Sequence, residues 1–285
     1  MRAERRSRGD LIAAAALTVS VLVGVVVLWS TGEVAGTTSA PATAVAAPPP
    51  PATGVPAAFA EAWRAPSAAT PVPVVVGSAV VTADGSTVTG RDATTGDPTW
   101  TYSRDIPLCT VSAAFPSADD GVGRVLALYA GGTDWCSELT ALRPDTGVRE
   151  ATANPDGRPG GRLLAAGGSV VAISTDYLEV LRSDLVKTLE YGTVIAPAQP
   201  DRQPRPGCTY GSTALIPQRP GEPIAQRLGV LERCPYDGAD RLTVLKPDSQ
   251  DGADKPQQEF SSVLPTGGAT VVALSPQGAA VAVPG

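Results

Sequence analysis

The sequence predicts an all-β fold of repeated four-stranded sheets behind a single apolar helix. Three observations carry this reading. Glycine (30) and proline (28) make up about a fifth of the 285 residues and aromatics only 5%, a balance that favours turns and short strands over long helices. The stretch Thr87 to Tyr102, TVTGRDATTGDPTWTY, has a hairpin pattern. It turns at Thr94-Thr95-Gly96, where glycine supplies a positive-φ corner, and returns as a strand carrying Trp100. Variations on this unit recur at a mean spacing of about 51 residues.

The composition also excludes some chemistry. With 43% apolar residues the chain is long enough to bury one or two cores. It contains no histidine, which removes the commonest general base, the commonest zinc ligand and any Ser/His/Asp or Cys/His catalytic arrangement.

Residues 1–10 form a basic tip, with Arg2, Arg5, Arg6 and Arg8 against Glu4 and Asp10. The tip carries a net +2, so the remainder holds −8 of the whole-chain −6. Residues 11–29 carry no charge and are rich in Leu, Val and Ala; as a helix they span about 28 Å, enough to cross a bilayer. The expected arrangement is a single-pass signal anchor in the plasma membrane, with the arginines cytoplasmic, Trp29 at the outer interface and the main domain outside. A cleaved signal peptide is the alternative. Its core is usually shorter and ends in a small-residue cleavage site, which does not follow promptly here. Residues 30–57, Thr-, Ala- and Pro-rich with Pro48 to Pro51, read as a disordered linker in polyproline II conformation, up to about 85 Å long.

The extracytoplasmic domain is placed at 58–285. Phe59 to Arg64 reads as a lone strand ahead of the first unit. That unit continues through Val72 to Val76, Ser78 to Thr82 and the hairpin. The second runs from Cys109 through Arg124–Tyr129 to Leu139–Gly147. The third covers Leu163–Ile173 and Tyr177–Leu181 and turns at Arg182-Ser183-Asp184 without a glycine. The fourth runs from Cys208 through Leu228–Glu232 to Leu242–Asp248. Thr94, Asp145, Asp184 and Asp248 fall at equivalent turns, spaced 51, 39 and 64 residues apart. Leu-Thr-x-Leu-[Arg/Lys]-Pro-Asp recurs at 139–145 and 242–248, which ordinary sandwich hairpins do not explain. A sheet repeated at this period predicts the blades of a β-propeller. Val271–Leu274 and Ala279–Val283 begin a fifth blade. Two expectations stay open: a truncated form of a longer propeller, or a compact five-bladed closure.

The hairpin resembles the repeat of quinoprotein-type β-propellers, x-Ala-x-Asp-Ala-x-Thr-Gly-x-x-x-Trp. Asp92, Ala93, Thr95, Gly96 and Trp100 match it. Leu142, Thr146 and Gly147 match in the second unit, with Ala151 in place of the tryptophan. Anchor, spacer and composition also resemble envelope proteins of high-GC actinobacteria. The resemblance implies blade architecture, with Asp92 bonding turn amides and Trp100 filling the gap between blades. Quinone-dependent members of that family carry a vicinal cysteine pair and a metal site that uses asparagine. This chain has no adjacent cysteines and one asparagine, Asn154, so no cofactor or metal is expected.

Four cysteines fit an oxidising compartment. Of the three possible connectivities the repeat selects Cys109 with Cys136 and Cys208 with Cys234, because each pair takes equivalent places in its unit. Each closure contributes about 3.5 kcal/mol by chain entropy. Asp134 and Trp135, on a loop beside a bridge, are a possible binding rim. The acids from Asp248 to Asp254 lack calcium-loop spacing, Asp119-Asp120-Gly121 reads as a turn, and Gly121-Val-Gly123 lacks a dinucleotide fingerprint. The negative outer domain argues against nucleic acid. The expected function is a non-enzymatic, membrane-tethered interaction or assembly scaffold, partnered by an envelope protein or cell-wall component. The alternatives are a quinone-dependent dehydrogenase-like enzyme and a carbohydrate-binding propeller that uses Trp135, Tyr210 and Tyr236.

Overall fold

The computed structural model describes residues 7–45, 54, 58–76, 78–115, 123–132, 134–194, 205–216, 226–249, 252–275 and 277–284. Residues 1–6, Pro48–Pro51, the turn Asp119-Asp120-Gly121 and Asp251 lie outside these. The chain divides into two compact units, Met1–Thr38 and Ser39–Gly285.

The first unit contains one helix, α1 (Arg8–Thr31). Ser7 caps it: its Oγ accepts from the Asp10 N–H at 3.1 Å, and its own N–H donates to Asp10 Oδ2 at 2.8 Å, a reciprocal capping box. Apolar side chains cover every face, from Leu11 to Trp29. Among the described residues this is the helix long and apolar enough to cross a membrane.

The second unit is built from antiparallel sheets arranged as propeller blades. The first comprises β1 (Thr37–Ala40), β2 (Val74–Val76), β3 (Ala79–Asp84), β4 (Thr87–Asp92) and β5 (Pro98–Arg104), in the order β1-β5-β4-β3-β2. The second comprises β6 (Leu108–Ala114), β7 (Arg124–Ala130), β8 (Cys136–Leu142) and β9 (Arg149–Ala153). The third comprises β10 (Arg162–Ala166), β11 (Ser169–Ile173), β12 (Tyr177–Arg182) and β13 (Lys187–Gly192). The fourth comprises β14 (Thr209–Leu215), β15 (Leu228–Arg233), β16 (Arg241–Leu245) and β17 (Gln258–Val263), and the last is the pair β18 (Thr270–Ser275) and β19 (Gly278–Ala282). The first strands of successive sheets pack together, β2 on β6, β6 on β10, β10 on β14 and β14 on β18.

Two expectations are corrected. The stretch read as linker contains β1, whose Thr and Ser suit an extended edge strand and which takes the outer place beside β5. Phe59–Arg64 forms no strand. Instead, the Trp63 indole lies across the first hairpin turn and donates from Nε1 to the Ala93 carbonyl at 3.1 Å.

Apolar clusters between sheets hold the blades together. Val81, Val88, Trp100 and Tyr102 of the first sheet interlock with Val111, Val125, Ala127 and Leu142 of the second. The opposite face of the first sheet is mixed: Thr87, Thr89, Arg91, Thr101 and Ser103 are half-exposed there together with Val80, and Val75 is exposed. One hydrogen bond recurs from blade to blade. The carbonyl just beyond the next-to-last strand accepts from a side chain earlier in the chain: Ala93 from Trp63, which lies between β1 and β2, and, from the preceding blade, Pro144 from Trp100 Nε1 at 2.8 Å, Ser183 from Arg124, and Pro247 from Thr188 Oγ1 at 2.8 Å.

Candidate interaction surface

The turn after the third strand explains how neighbouring blades fit. In the first sheet the Gly96 N–H returns to the Asp92 carbonyl at 2.9 Å, and Gly96 takes φ +78°. Asp92 Oδ1 accepts the N–H groups of Thr94 and Thr95 at 2.8 and 2.9 Å, which lowers its pKa. In the second sheet Gly147 bonds Arg143 in the same way and takes φ +71°. A Cβ on Gly147 would fall 2.5 Å from the Trp100 indole, and one on Gly96 would fall 2.6 Å from Trp63. Trp63 therefore stands to the first blade as Trp100 stands to the second. The third turn has no glycine, and Leu185 occupies the left-handed position at φ +61°. Its buried side chain belongs to the cluster against which Ala151 packs, and Ala151 takes the fourth-strand place that Trp100 holds in the first sheet.

The cysteines form Cys109–Cys136 and Cys208–Cys234, the pairing expected from the repeat, and close 27 and 26 residues. Cys208 and Cys234 lie close to Glu232, but their sulfurs are bonded to each other and offer no thiolate ligand. Glu232 is buried and fully engaged, accepting from Tyr191 Oη at 2.7 Å, Arg205 Nε at 2.9 Å and Thr243. A second polar cluster surrounds Glu179, whose carboxyl burial pushes up in pKa despite its hydrogen bond from Tyr177 at 2.8 Å. Lys187 lies 2.9 Å from Glu190 and 3.2 Å from Asp156; burial disfavours its ammonium, yet these carboxylates and Glu179 outweigh that and raise its pKa.

The remaining predicted residues are dispersed. Asp134 is exposed beside the first disulfide, whereas Trp135 is half-buried beneath the Arg158 guanidinium, 4.7 Å from its ring centre. Arg158 also lies 5.3 Å from the Tyr177 ring. Tyr210 is stacked inside on Tyr191 at 5.9 Å and Tyr236 stands exposed, so Trp135, Tyr210 and Tyr236 form no common platform. Asp145 pairs with Arg143 at 3.1 Å. Asp248 is exposed on a longer turn that closes from the Lys246 N–H to the Gln257 carbonyl at 3.0 Å.

An open groove of about 680 Å³ lies between the fourth sheet and the β18–β19 pair. Strand register builds it. Val244 faces Phe260 across β16–β17, Leu274 faces Ala279 and Val271 faces Val281 across β18–β19, and these side chains line or adjoin the cavity. Arg227 and Glu259 form an ion pair at its edge. Sequence reasoning missed this groove. The available signal was an apolar pair of strands, β18 and β19, without a single charged residue.

No known family profile matches the chain, and no curated protein does. Among solved structures it is similar to BBS1N in complex with ARL6DN, at 12% identity over 68% of this chain and 67% of that one, with a TM-score of 0.32. It is also similar to the dihydro-heme d1 dehydrogenase NirN in complex with DHE, at 15% identity and a TM-score of 0.32. That match covers 68% of this chain but 46% of NirN, so the chain spans less than half of that relative. At these scores neither likeness carries an argument; the fold rests on the sheets and their registers.

Proposed function

We propose that the chain is a non-enzymatic, membrane-tethered β-propeller that serves as a protein-interaction or assembly scaffold in the cell envelope. In this reading α1 is the anchor, its N-terminus is cytoplasmic and the blades stand outside. The observation that carries it is the open groove beside β18 and β19, where Val244, Phe260, Leu274 and Val281 meet Arg227 and Glu259 in an accessible surface. Two disulfides support an oxidising compartment, and the arginines of the basic tip support the orientation. The quinoprotein-type likeness adds architecture: Asp92 and Gly96 shape a turn and Trp100 joins two blades.

The test is purification of the full chain from its own membranes after mild cross-linking, followed by addition of quinone and calcium. A protein partner held at fixed stoichiometry, with no change in quinone absorbance, is expected. A chain that purifies alone and binds or turns over quinone contradicts the reading.

A further inference from the structure

We infer that a cleft between β10, β14 and the start of β18 binds a phosphate group, held by the guanidiniums of Arg162 and Arg233. The cleft is distinct from the groove beside β18 and β19, and the inference does not rest on the scaffold reading.

Charge carries the argument. The chain is acidic, at −6, and elsewhere in the blades arginines sit against carboxylates: Arg124 with Glu150, Arg182 with Asp184, Arg205 with Glu232 and Arg241 with Asp237. Arg162 departs from this pattern. Among the described residues it makes no ion pair, and its hydrogen bond runs from Nη2 to the Gly211 carbonyl at 2.9 Å. Asp134 lines a smaller pocket that Arg162 also borders, without pairing it. Arg233 reaches the same glycine, because a Cβ on Gly211 would fall 3.4 Å from its Nη2. Its Nε lies 3.5 Å from Oδ1 of Asp240, a buried carboxylate whose Oδ2 accepts the Ala269 N–H at 2.7 Å. Two guanidiniums thus converge on one residue against one carboxylate, and that carboxylate is shared with a backbone amide. The cleft keeps a positive charge in an acidic chain.

A bulge shapes the cleft. Tyr210 pairs with Glu232 and Thr213 with Val230, so Gly211 and Ser212 together stand opposite Leu231. Ser212 Oγ accepts the Val271 N–H at 2.7 Å, which leaves its own O–H to donate. Arg162, Arg233, Ser212, Thr213 and Thr270 line an open space of about 540 Å³. A guanidinium has five N–H donors; the Gly211 carbonyl and Asp240 hold one group of each arginine, which orients the forks and leaves the remaining donors for a ligand. Donors of this kind select an oxyanion. A carboxylate has two oxygens in one plane and satisfies one fork, whereas a tetrahedral phosphate turns oxygens toward both forks and the Ser212 hydroxyl at once. A small soluble monoester and the diester of a lipid headgroup share that chemistry.

Calorimetric titration of the full chain in a non-ionic detergent tests this. The probes are glycerol 3-phosphate, its carboxylate counterpart glycerate, and glycerophosphoglycerol, the deacylated headgroup of a phospholipid. At least one phosphate probe should bind saturably, with a dissociation constant of about 1 mM or tighter and about tenfold or more below that of glycerate. The tighter of the two identifies the source as monoester or headgroup diester. Arg162→Gln and Arg233→Gln should each weaken that binding by about tenfold or more, since each removes a charge-assisted fork. Arg182→Gln, at an exposed arginine already paired with Asp184, should leave it unchanged. The comparison of phosphate with glycerate on the unaltered chain decides the matter even where a variant folds poorly. No saturable binding, glycerate bound as tightly, undiminished binding in either cleft variant, or equal loss in Arg182→Gln overturns the inference. Each of these results leaves the scaffold reading untouched.

Discussion

Trp63 and Trp100 make the same contact one blade apart, yet they differ in burial, and their deletion costs should differ accordingly. Trp100→Ala removes a fully buried ring between two sheets and should cost about 3–5 kcal/mol. Trp63→Ala, at a half-exposed site, should cost about 1–2 kcal/mol, both read from denaturant midpoints. Equal costs would contradict the packing described. Leu185 and Ala151 offer a sharper case. Leu185→Gly relieves a left-handed backbone but empties a buried site, and Ala151→Trp overfills it. The double variant should therefore be more stable than the two single effects sum to, by about 1 kcal/mol or more in a double-mutant cycle. Additive effects would show that the two side chains do not share that space. The glycine-for-leucine exchange was visible in the sequence as a turn without glycine, but its compensation across the interface was not, because it joins residues in different blades.

The strands and their grouping were legible from local signals. The hairpin 87–102, the repeated Leu-Thr-x-Leu segments and the two cysteine pairs all lie at their expected places. Two elements were misread for a common reason. Phe59–Arg64 alternates like a strand and Thr37–Ala40 shows no strand pattern, yet the second pairs and the first does not. Pairing is decided by which sheet edge is open, and a single segment does not contain that information. The turns also set the response to acid. Asp92 is held low by the amides of Thr95 and Thr94, Asp145 by Arg143, and Asp237 by Arg241, while hydrogen bonds from Arg182 bring Asp184 to about 2. Each folded pKa lies below the unfolded value of about 3.9, so the stabilisation is present above that pH and is lost as pH falls toward 2. Thermal midpoints should fall between about pH 4 and pH 2, modestly because these carboxylates are exposed and buried Glu179 acts in the opposite sense, and Asp184→Asn should blunt the fall. A midpoint that stays level across that range would contradict these pairings.

At the scale of the molecule, the first and last described sheets differ. A threonine-rich face with Val75 exposed covers the first sheet, and a groove lined by Val244, Phe260, Leu274 and Val281 together with Arg227 and Glu259 lies beside β18 and β19. The sequence already held the unequal pieces, a threonine-rich hairpin at one end and charge-free strands at the other. The groove itself was not legible, because it exists only through the register that sets Val244 opposite Phe260 beside Leu274 and Val281. The central claim is that neighbouring blades are joined through a ring seated on the next blade's turn, and amide hydrogen exchange in Trp100→Ala tests it most directly. The amides of β5 and of β8, on the two sides of that ring, should lose protection together by about tenfold or more. Exchange that rises in β5 alone, or in neither strand, would contradict the account.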